Sequence, residues 1–235
     1  MRQAVAGISG ARRLRGVIFD LDGTLTPVRS VWQYVHEALG TWETHGSRSL
    51  EAFLAGKITY DDFARRDVRA WYGVPQSYIE EIVKKIPYRP GAKEVVAALK
   101  ERGIKLALLS SGLDILVSRV ARELGFDMWI ANGLGFTGGI VDGRVNIRVT
   151  WDGKADHLDS ICRFFQAAPE ETAAVGDSHG DIPLFEQVGL GVAVNAEPAV
   201  CACAHLSLEC SDLRELLPVL TPYLPECWSV ATCPE

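Results

Sequence analysis

The stretch Gly16-Val-Ile-Phe-Asp20-Leu-Asp22-Gly-Thr24 decides our prediction of the fold. It begins with a short apolar run, and a turn with two acidic residues, a glycine and a threonine follows directly. Such a run is typical of a strand that is buried on both faces of a parallel sheet. Ligands of open α/β sheets bind at the carboxyl ends of the strands. We therefore expect this polar turn to lie at a ligand site.

Further strand-like runs alternate with helical patterns along the rest of the chain. The strand-like runs are Ile104–Leu109, Asp127–Ile130, Thr172–Val175 and Leu190–Val194. The helical patterns are Glu94–Lys100, Ile115–Leu124 and Leu158–Phe165. This alternation predicts an α/β fold with a doubly wound parallel sheet. Within the β-forming segment Phe136–Trp151, Asp142-Gly143 predicts the turn of a β-hairpin.

The stretch 28–87 interrupts this alternation with helical patterns only. These are Val31–Leu39, Leu50–Leu54, Tyr60–Tyr72 and Tyr78–Ile86. An insertion of this kind just after the first strand predicts a small helical cap domain at 28–87, on a core domain made of 16–27 and 88–217. We expect residues 1–15 to form a flexible leader. Residues 218–235 contain several prolines and are expected to form a tail that cannot be one helix.

Composition excludes several classes of protein. The 235 residues carry 24 Lys and Arg against 30 Asp and Glu, so the net charge of −6 disfavours a nucleic-acid partner. A hydrophobic share of 48% and a charged share of 23% are typical of a soluble globular protein. No apolar run approaches the roughly 20 residues that span a bilayer, and the N-terminus lacks the apolar segment of a secretory signal. We expect a cytoplasmic protein without a membrane or nucleic-acid partner, while the oligomeric state stays open.

The six cysteines contain no C-x-x-C pair, so a zinc site is weakly supported. Five of them follow residue 200. They are interpreted either as small buried thiols or as one or two disulfides that hold the tail in place.

Acidic residues at two predicted strand ends indicate a metal site. Asp20 and Asp22 repel each other unless a cation lies between them, and hard oxygen ligands at such a place suit Mg²⁺. Asp177 and Asp181 are four residues apart in the turn after Thr172–Val175, so both can point at one metal. Thr24 offers a hydroxyl beside the first pair.

Two further features indicate an anion site. Ser110-Ser111-Gly112 follows the second predicted strand and leads into a helix, whose N-terminal N–H groups and neighbouring hydroxyls bind anions. Lys154 precedes another helix and can neutralise the same anion. Each feature alone is compatible with a solvated turn, a helix cap or a surface lysine. Four of them in order at successive strand ends favour one phosphate-binding site.

Together these residues resemble the four motifs of the haloacid dehalogenase superfamily of phosphotransferases, over about residues 16–217. They are most similar to its phosphoserine phosphatase-like branch. The resemblance implies a Rossmann-like core and hydrolysis of a small phosphorylated metabolite. It implies that Asp20 is the nucleophile that forms an aspartyl-phosphate, and that Asp22 is the acid for the leaving oxygen and then the base for water. It also implies that Mg²⁺ is held by Asp20, the Asp22 carbonyl and Asp177, with Asp181 as a ligand or directly behind the ligands.

The resemblance also implies a substrate site. The phosphoryl oxygens would be held by Ser110 and Lys154, and the wider set of candidate substrate-binding residues is Thr24, Arg29, Ser110, Ser111, Gly112 and Lys154. His179 lies inside the fourth motif and is a further candidate.

Departures from the branch concern the substrate. Arg29 occupies the counted position of an acid that meets the substrate ammonium, and Asp67 that of an arginine for the carboxylate. Ser111 replaces a glycine, and Gly180 replaces an asparagine. We hypothesise that the substrate carries a second anionic group beside Arg29 and need not carry an amine. Phosphoserine is then one candidate beside phosphorylated hydroxy acids, and a phosphomutase or a non-catalytic phospho-ligand binding protein is the alternative activity.

Overall fold

A seven-stranded sheet forms the centre of the computed structural model, which describes residues 13–225. The strands are β1 (Gly16–Phe19), β2 (Lys105–Leu113), β3 (Met128–Thr137), β4 (Ile140–Asn146), β5 (Thr172–Gly176), β6 (Leu190–Val194) and β7 (Leu206–Leu208). Their order is β4-β3-β2-β1-β5-β6-β7, and only β4 runs antiparallel to its neighbour. The predicted doubly wound parallel sheet is therefore confirmed.

Helices cover both faces of the sheet and fill the insertion after β1. They are α1 (Val31–Ala38), α2 (Ser47–Leu54), α3 (Tyr60–Ala70), α4 (Gln76–Lys84), α5 (Ala92–Glu101), α6 (Asp114–Leu124), α7 (Leu158–Phe165), α8 (Ile182–Phe185), α9 (Pro198–Cys203) and α10 (Leu216–Leu220). A π-helical turn spans Trp42–Gly46, and short 3₁₀ turns lie at Lys154–His157, Pro169–Glu171, His179–Asp181, Leu213–Glu215 and Thr221–Tyr223.

The buried residues of the strands alternate between two apolar clusters, one on each face. In β1, Val17 and Phe19 belong to the cluster that includes α5, α6, α10 and the inserted helices. Ile18 between them belongs to the cluster that includes α7, α8 and α9. This period of two follows from the alternating direction of side chains along a strand. It explains why the strand is apolar throughout.

Helices α1 to α4 form the predicted cap, and their bounds differ from the predicted ones by at most three residues. Two of these helices have a side-chain N-cap. In α1 the Ser30 side chain accepts a hydrogen bond from Gln33 N, and in α3 Thr59 and Asp62 form a reciprocal capping box. Inside the cap, the indole rings of Trp32 and Trp71 stack with their centroids 5.8 Å apart. The cap thus has its own aromatic packing.

The β3–β4 hairpin corrects one prediction. Its turn lies at Gly138-Gly139, while Asp142 and Gly143 lie inside β4. Both turn glycines have positive φ, 61° and 77°, which a two-residue hairpin turn demands of its central pair. β4 is held in this register by Val141, which accepts a hydrogen bond from Gly73 N and donates one to Val74 O in the cap.

Buried apolar residues lie near both ends of the described part of the chain. Leu14, assigned to the leader, and Leu220 and Leu224, assigned to the tail, are buried. Leu14 N also donates to Tyr223 O. The predicted flexible leader otherwise lies in residues 1–12, outside the described residues. The boundary between cap and core stays a prediction.

The described residues include four of the six cysteines. Within the described part of the chain, Cys162, Cys201, Cys203 and Cys210 are free thiols, while Cys227 and Cys233 lie outside it. Among residues 13–225, no helix combines the length and apolar character that crossing a membrane requires.

Candidate active site

The polar motifs meet at the carboxyl edge of the sheet, where the chain order reverses. β1 pairs with β2 on one side and with β5 on the other, so the ends of these three strands adjoin one crevice. Asp20 follows β1, and Asp177 follows β5. Ser110-Ser111-Gly112 belongs to the end of β2 itself, and α6 begins only at Asp114. The segment leads into α6 as predicted, but it lies in the last residues of the strand, which extends four residues beyond the predicted end at Leu109.

Asp20 and Lys154 form a buried ion pair at the base of the crevice. Lys154 Nζ lies 2.9 Å from Asp20 Oδ1 and 2.6 Å from Asp181 Oδ1. Burial raises the pKa of Asp20, and Lys154 opposes this shift. Burial disfavours the charge of Lys154, yet attraction to Asp181 and Asp20 raises its pKa. Lys154 therefore stays cationic beside the carboxylates.

Three carboxylates gather around this lysine. Oxygen atoms of Asp20, Asp177 and Asp181 lie within 4.8 Å of one another, and all three residues are buried. Burial, and next the charge of Asp181, raise the pKa of Asp177. One lysine cannot neutralise three carboxylates. The cluster is therefore a candidate metal site made of hard oxygen ligands.

Asp181 is held rigidly by its own turn. Its Oδ2 accepts hydrogen bonds from Asp177 N (3.2 Å), Ser178 N (3.0 Å) and Ser178 Oγ (2.9 Å). A Cβ at Gly176 would lie 2.3 Å from the Asp181 carboxyl carbon, so glycine is needed there. Gly180, where the family pattern carries asparagine, passes over the Trp151 carbonyl, which would lie 2.3 Å from an added Cβ. Close packing explains this departure.

The loop after Asp20 turns tightly against Asp177. Gly23 has φ of 81°, and an added Cβ would lie 2.1 Å from Asp177 Oδ2. Thr24 Oγ1 donates to Asp177 Oδ1 at 3.1 Å and does not line the cavity, so this hydroxyl orients a carboxylate. Arg89 donates to the carbonyls of Gly23 and Thr24 at 2.5 and 3.0 Å. No local signal in the sequence identifies Arg89.

Asp22 faces the cavity at the N-terminus of α1. Its Oδ2 accepts from Val31 N at 2.8 Å, while its buried Oδ1 has no hydrogen-bond partner among residues 13–225. Burial raises the pKa of Asp22 to about 7, although the Val31 N–H opposes the shift. A carboxyl with one free oxygen and such a pKa can exchange a proton near neutral pH.

The second motif joins the core to the cap. Ser110 Oγ accepts from Gly112 N at 2.9 Å. The Ser111 carbonyl accepts from Trp32 Nε1 (3.2 Å) and Tyr60 OH (2.5 Å), which belong to the cap helices α1 and α3. Gly112 is required by close approach, because an added Cβ would lie 3.1 Å from Asp22 Oδ2 and 2.9 Å from Val31 Cγ1.

Asn132 is a buried residue that our sequence analysis missed. Its Nδ2 donates to the carbonyls of Ser111 and Val149, both at 2.8 Å, and to Tyr60 OH at 3.1 Å. Its Oδ1 accepts from the backbone N–H groups of Arg148 and Val149. The side chain thereby joins the second motif to the segment that leads to Lys154. A polar residue inside the apolar run of β3 is the signal that could have identified it.

A cavity of about 200 Å³ lies between this edge of the sheet and the cap. Among the predicted site residues, it is lined by Asp20, Asp22, Arg29, Ser110, Ser111, Gly112 and Lys154. Arg29 is exposed at its rim. Two acids that could pair with Arg29 have other neighbours: Asp67 lies 3.4 Å from His36 Nε2, and Glu37 accepts a hydrogen bond from Gln33 Nε2.

Two further positions with expected or possible roles lie away from the cavity. Asp67 is buried inside the cap and does not line it. His179 is exposed, does not line it and lies beside the ring of Trp151, with 6.3 Å between the centroids.

A family model for haloacid dehalogenase-like hydrolases matches residues 17–186. The chain belongs to this family. Among the relatives of this hydrolase, the phosphoserine phosphatase of Idiomarina loihiensis is 32% identical over 202 residues, 86% of this chain and 91% of that protein. The phosphoserine phosphatase of Methanocaldococcus jannaschii is 33% identical over 202 residues, 86% of this chain and 95% of that protein.

Solved structures agree with this assignment of the hydrolase. A phospho-aspartyl intermediate analogue of a phosphoserine phosphatase matches with a TM-score of 0.76 and 30% identity, covering 88% of this chain and 99% of that chain. A substrate-bound phosphoserine phosphatase complex matches with a TM-score of 0.77 and 30% identity, and the match covers 88% of this chain and 98% of that chain. The predictions of a phosphatase and of the phosphoserine phosphatase-like branch are confirmed. The roles of single residues stay predictions.

Proposed function

We propose that this hydrolase cleaves a small phosphomonoester in a Mg²⁺-dependent reaction that passes through an aspartyl-phosphate on Asp20. The observation that carries the proposal is the position of the buried Asp20 carboxylate. It pairs with Lys154 and lines the same cavity as Asp22. A nucleophile, a proton donor and a cation thereby line one cavity.

In the first step, an Asp20 carboxylate oxygen attacks phosphorus while the bond from phosphorus to the leaving alcohol breaks. Asp22, in its protonated form, gives its proton to that departing oxygen. In the second step, the Asp22 carboxylate takes a proton from water, which attacks phosphorus and releases phosphate and the Asp20 carboxylate. A pKa of about 7 suits Asp22 for both directions of transfer near neutral pH. Two successive displacements replace one difficult one.

Lys154 and the end of β2 are proposed to hold the phosphoryl group. Lys154 Nζ carries the positive charge at the base of the cavity, and Ser110, Ser111 and Gly112 line the same end. The hydroxyl of Thr24 acts on Asp177 and not on the substrate in this proposal. Neutralising phosphoryl oxygens lowers the barrier to attack by an anionic carboxylate.

Mg²⁺ is proposed as the metal of the carboxylate cluster. The residues fit this ion in charge and in donor type. Asp20, Asp177 and Asp181 are buried together, and Lys154 is the cation that contacts Asp20 and Asp181. Carboxylate oxygens are ligands that suit Mg²⁺. Asp20, Asp177 and the Asp22 backbone carbonyl would hold it, with Asp181 directly behind them, because Lys154 and the Asp177–Ser178 turn already bond to both of its oxygens. When bound, the ion supplies positive charge that offsets the repulsion between the nucleophile and the phosphate.

Phosphoserine is the first substrate to test, because the relatives are named for it. A second class, small phosphomonoesters with an additional anion, is supported by Arg29 at the cavity rim, since a guanidinium can bind a carboxylate with two parallel hydrogen bonds. Phosphorylated hydroxy acids belong to this class. We further propose a cytoplasmic location, which follows from the composition.

The test is phosphate release from p-nitrophenyl phosphate, measured with Mg²⁺ and with excess EDTA. We expect turnover only with Mg²⁺, and we expect Asp20→Asn to abolish turnover and acid-stable trapping of the phosphoenzyme. Asp159→Asn, at an exposed site on α7, is the matched control. Full activity in EDTA would contradict metal dependence, and near-normal turnover by Asp20→Asn would contradict the covalent route. Phosphate binding without hydrolysis of any ester would favour the non-catalytic alternative.

The role of Arg29 is tested by kinetics with phosphoserine, phosphoglycolate, phosphoglycerate and phospholactate. Arg29→Ala should raise KM for the anionic substrates by roughly tenfold, the effect of losing a charged hydrogen-bond pair worth about 1.5 kcal/mol. KM for p-nitrophenyl phosphate should change little. A strong preference for phosphoserine that Arg29→Ala leaves unchanged would remove Arg29 from substrate recognition.

A further inference from the structure

The cap side of the cavity is an apolar wall. It consists of Trp32 and Leu50, of Phe53 and Leu54 at the end of α2, and of Tyr60 and Phe63 in α3. Trp32, Tyr60 and Phe63 are buried. Phe53 stacks on Phe63 with 5.5 Å between the ring centroids. These side chains line the same cavity as Asp20, Asp22 and Lys154.

The polar atoms of this wall are already engaged. Trp32 Nε1 and Tyr60 OH both donate to the Ser111 carbonyl, at 3.2 and 2.5 Å. The Tyr60 oxygen also accepts from Asn132 Nδ2 at 3.1 Å. Both aromatic side chains therefore present mainly carbon atoms to the cavity. Burial, the largest cause, also raises the pKa of Tyr60, so its phenol stays neutral.

Charged groups in the cavity lie elsewhere. Of the described residues that line it, only Asp20, Asp22, Arg29 and Lys154 are charged side chains. Asp20 and Lys154 are paired at the phosphoryl end, and Asp22 is proposed to serve the leaving oxygen. Arg29 is cationic and belongs to the loop before α1. The wall thus supplies no carboxylate for a substrate ammonium.

We propose that the leaving alcohol of the natural substrate carries a small apolar group where phosphoserine carries its ammonium. The inference rests on the proposed function and specifies its substrate class. An ammonium placed against carbon atoms loses its hydration without gaining a partner, whereas a methyl group is stabilised by leaving water. The cavity of about 200 Å³ favours a short substituent beside the phosphate.

The test compares four esters that differ only at the carbon next to the carboxylate. They are phosphoserine with an ammonium, 3-phosphoglycerate with a hydroxyl, 3-phosphooxypropionate with a hydrogen and 3-phosphooxy-2-methylpropionate with a methyl group. We expect kcat/KM to be at least tenfold higher for the methyl compound than for phosphoserine, in line with one methyl-sized group in an apolar pocket. The ammonium withdraws electrons and improves the leaving alcohol, so leaving-group chemistry works against this result.

A matched pair of variants tests the wall directly. Leu54→Glu adds an acid at a wall position that is 65% exposed, whereas Tyr72→Glu adds one at a cap position that is 74% exposed and outside the cavity. We expect only Leu54→Glu to shift the ratio towards phosphoserine, by at least threefold. A wild-type ratio that favours phosphoserine would overturn the inference. If p-nitrophenyl phosphate is also not hydrolysed with Mg²⁺, the proposed function falls with it; hydrolysis of that ester confines the failure to the inference.

Discussion

We predict that Asn132→Leu lowers the free energy of unfolding by about 2–4 kcal/mol, because it orphans two buried backbone groups at about 1–2 kcal/mol each, besides a third group that is only part-buried. These are the N–H groups of Arg148 and Val149 and the carbonyl of Val149, which the Asn132 side chain pairs at 2.8–2.9 Å. The Ser111 carbonyl keeps two other donors, so it adds little. Leucine has the same number and branching of side-chain heavy atoms as asparagine, so the variant removes the hydrogen bonds without changing the connectivity of the side chain.

Equilibrium urea unfolding measures this change, with Asn146→Leu as the matched control. Asn146 is exposed at the end of β4, where substitutions usually change stability by less than about 0.5 kcal/mol. Turnover at saturating substrate, measured without urea, should also fall at least tenfold for Asn132→Leu, because the segment that leads to Lys154 loses its anchor to Ser111. If Asn132→Leu lowers the free energy of unfolding by less than about 1 kcal/mol, and by no more than Asn146→Leu does, this account of Asn132 is refuted.

Two further substitutions test the loop after β1. Gly23→Ala should reduce turnover by at least tenfold, because the new Cβ would lie 2.1 Å from the Asp177 carboxylate. The control is Gly40→Ala, whose position has a similar positive φ but open space around it, so it should cost only about 1 kcal/mol of stability. Equal turnover for the two variants would show that the close approach of Gly23 to Asp177 is unimportant. Asp22→Asn should slow both chemical steps by about 10²–10⁴, because the amide cannot transfer the proton. The variant should keep its fold and its Mg²⁺ affinity, measured by calorimetry, since the amide oxygen can still accept a hydrogen bond from Val31 N. An unchanged single-turnover rate would exclude Asp22 as the proton donor.

Local patterns account for most of the predicted elements. The apolar run Leu190–Val194 is the observed β6 residue for residue, and Gly125 ends α6 in a left-handed conformation, as a helix-terminating glycine should. The hairpin shows where such patterns stop. Gly138-Gly139 and Asp142-Gly143 are both acceptable turn pairs, and the choice between them is made by the cap, whose Gly73 and Val74 bond to Val141.

What the sequence determined by itself was the class of fold and the set of candidate site residues, because strand ends, helical periods and motif order are local or ordered along the chain. The tertiary structure alone decided what each group contacts. Thr24 is 153 residues from the carboxylate that it orients, and Asn132 joins segments from the cap, β2 and the approach to Lys154. The apolar wall arises only when α1 to α3 fold over the sheet, since no single helix contains it. Partners so far apart in the chain leave no periodicity, and only packing brings them together.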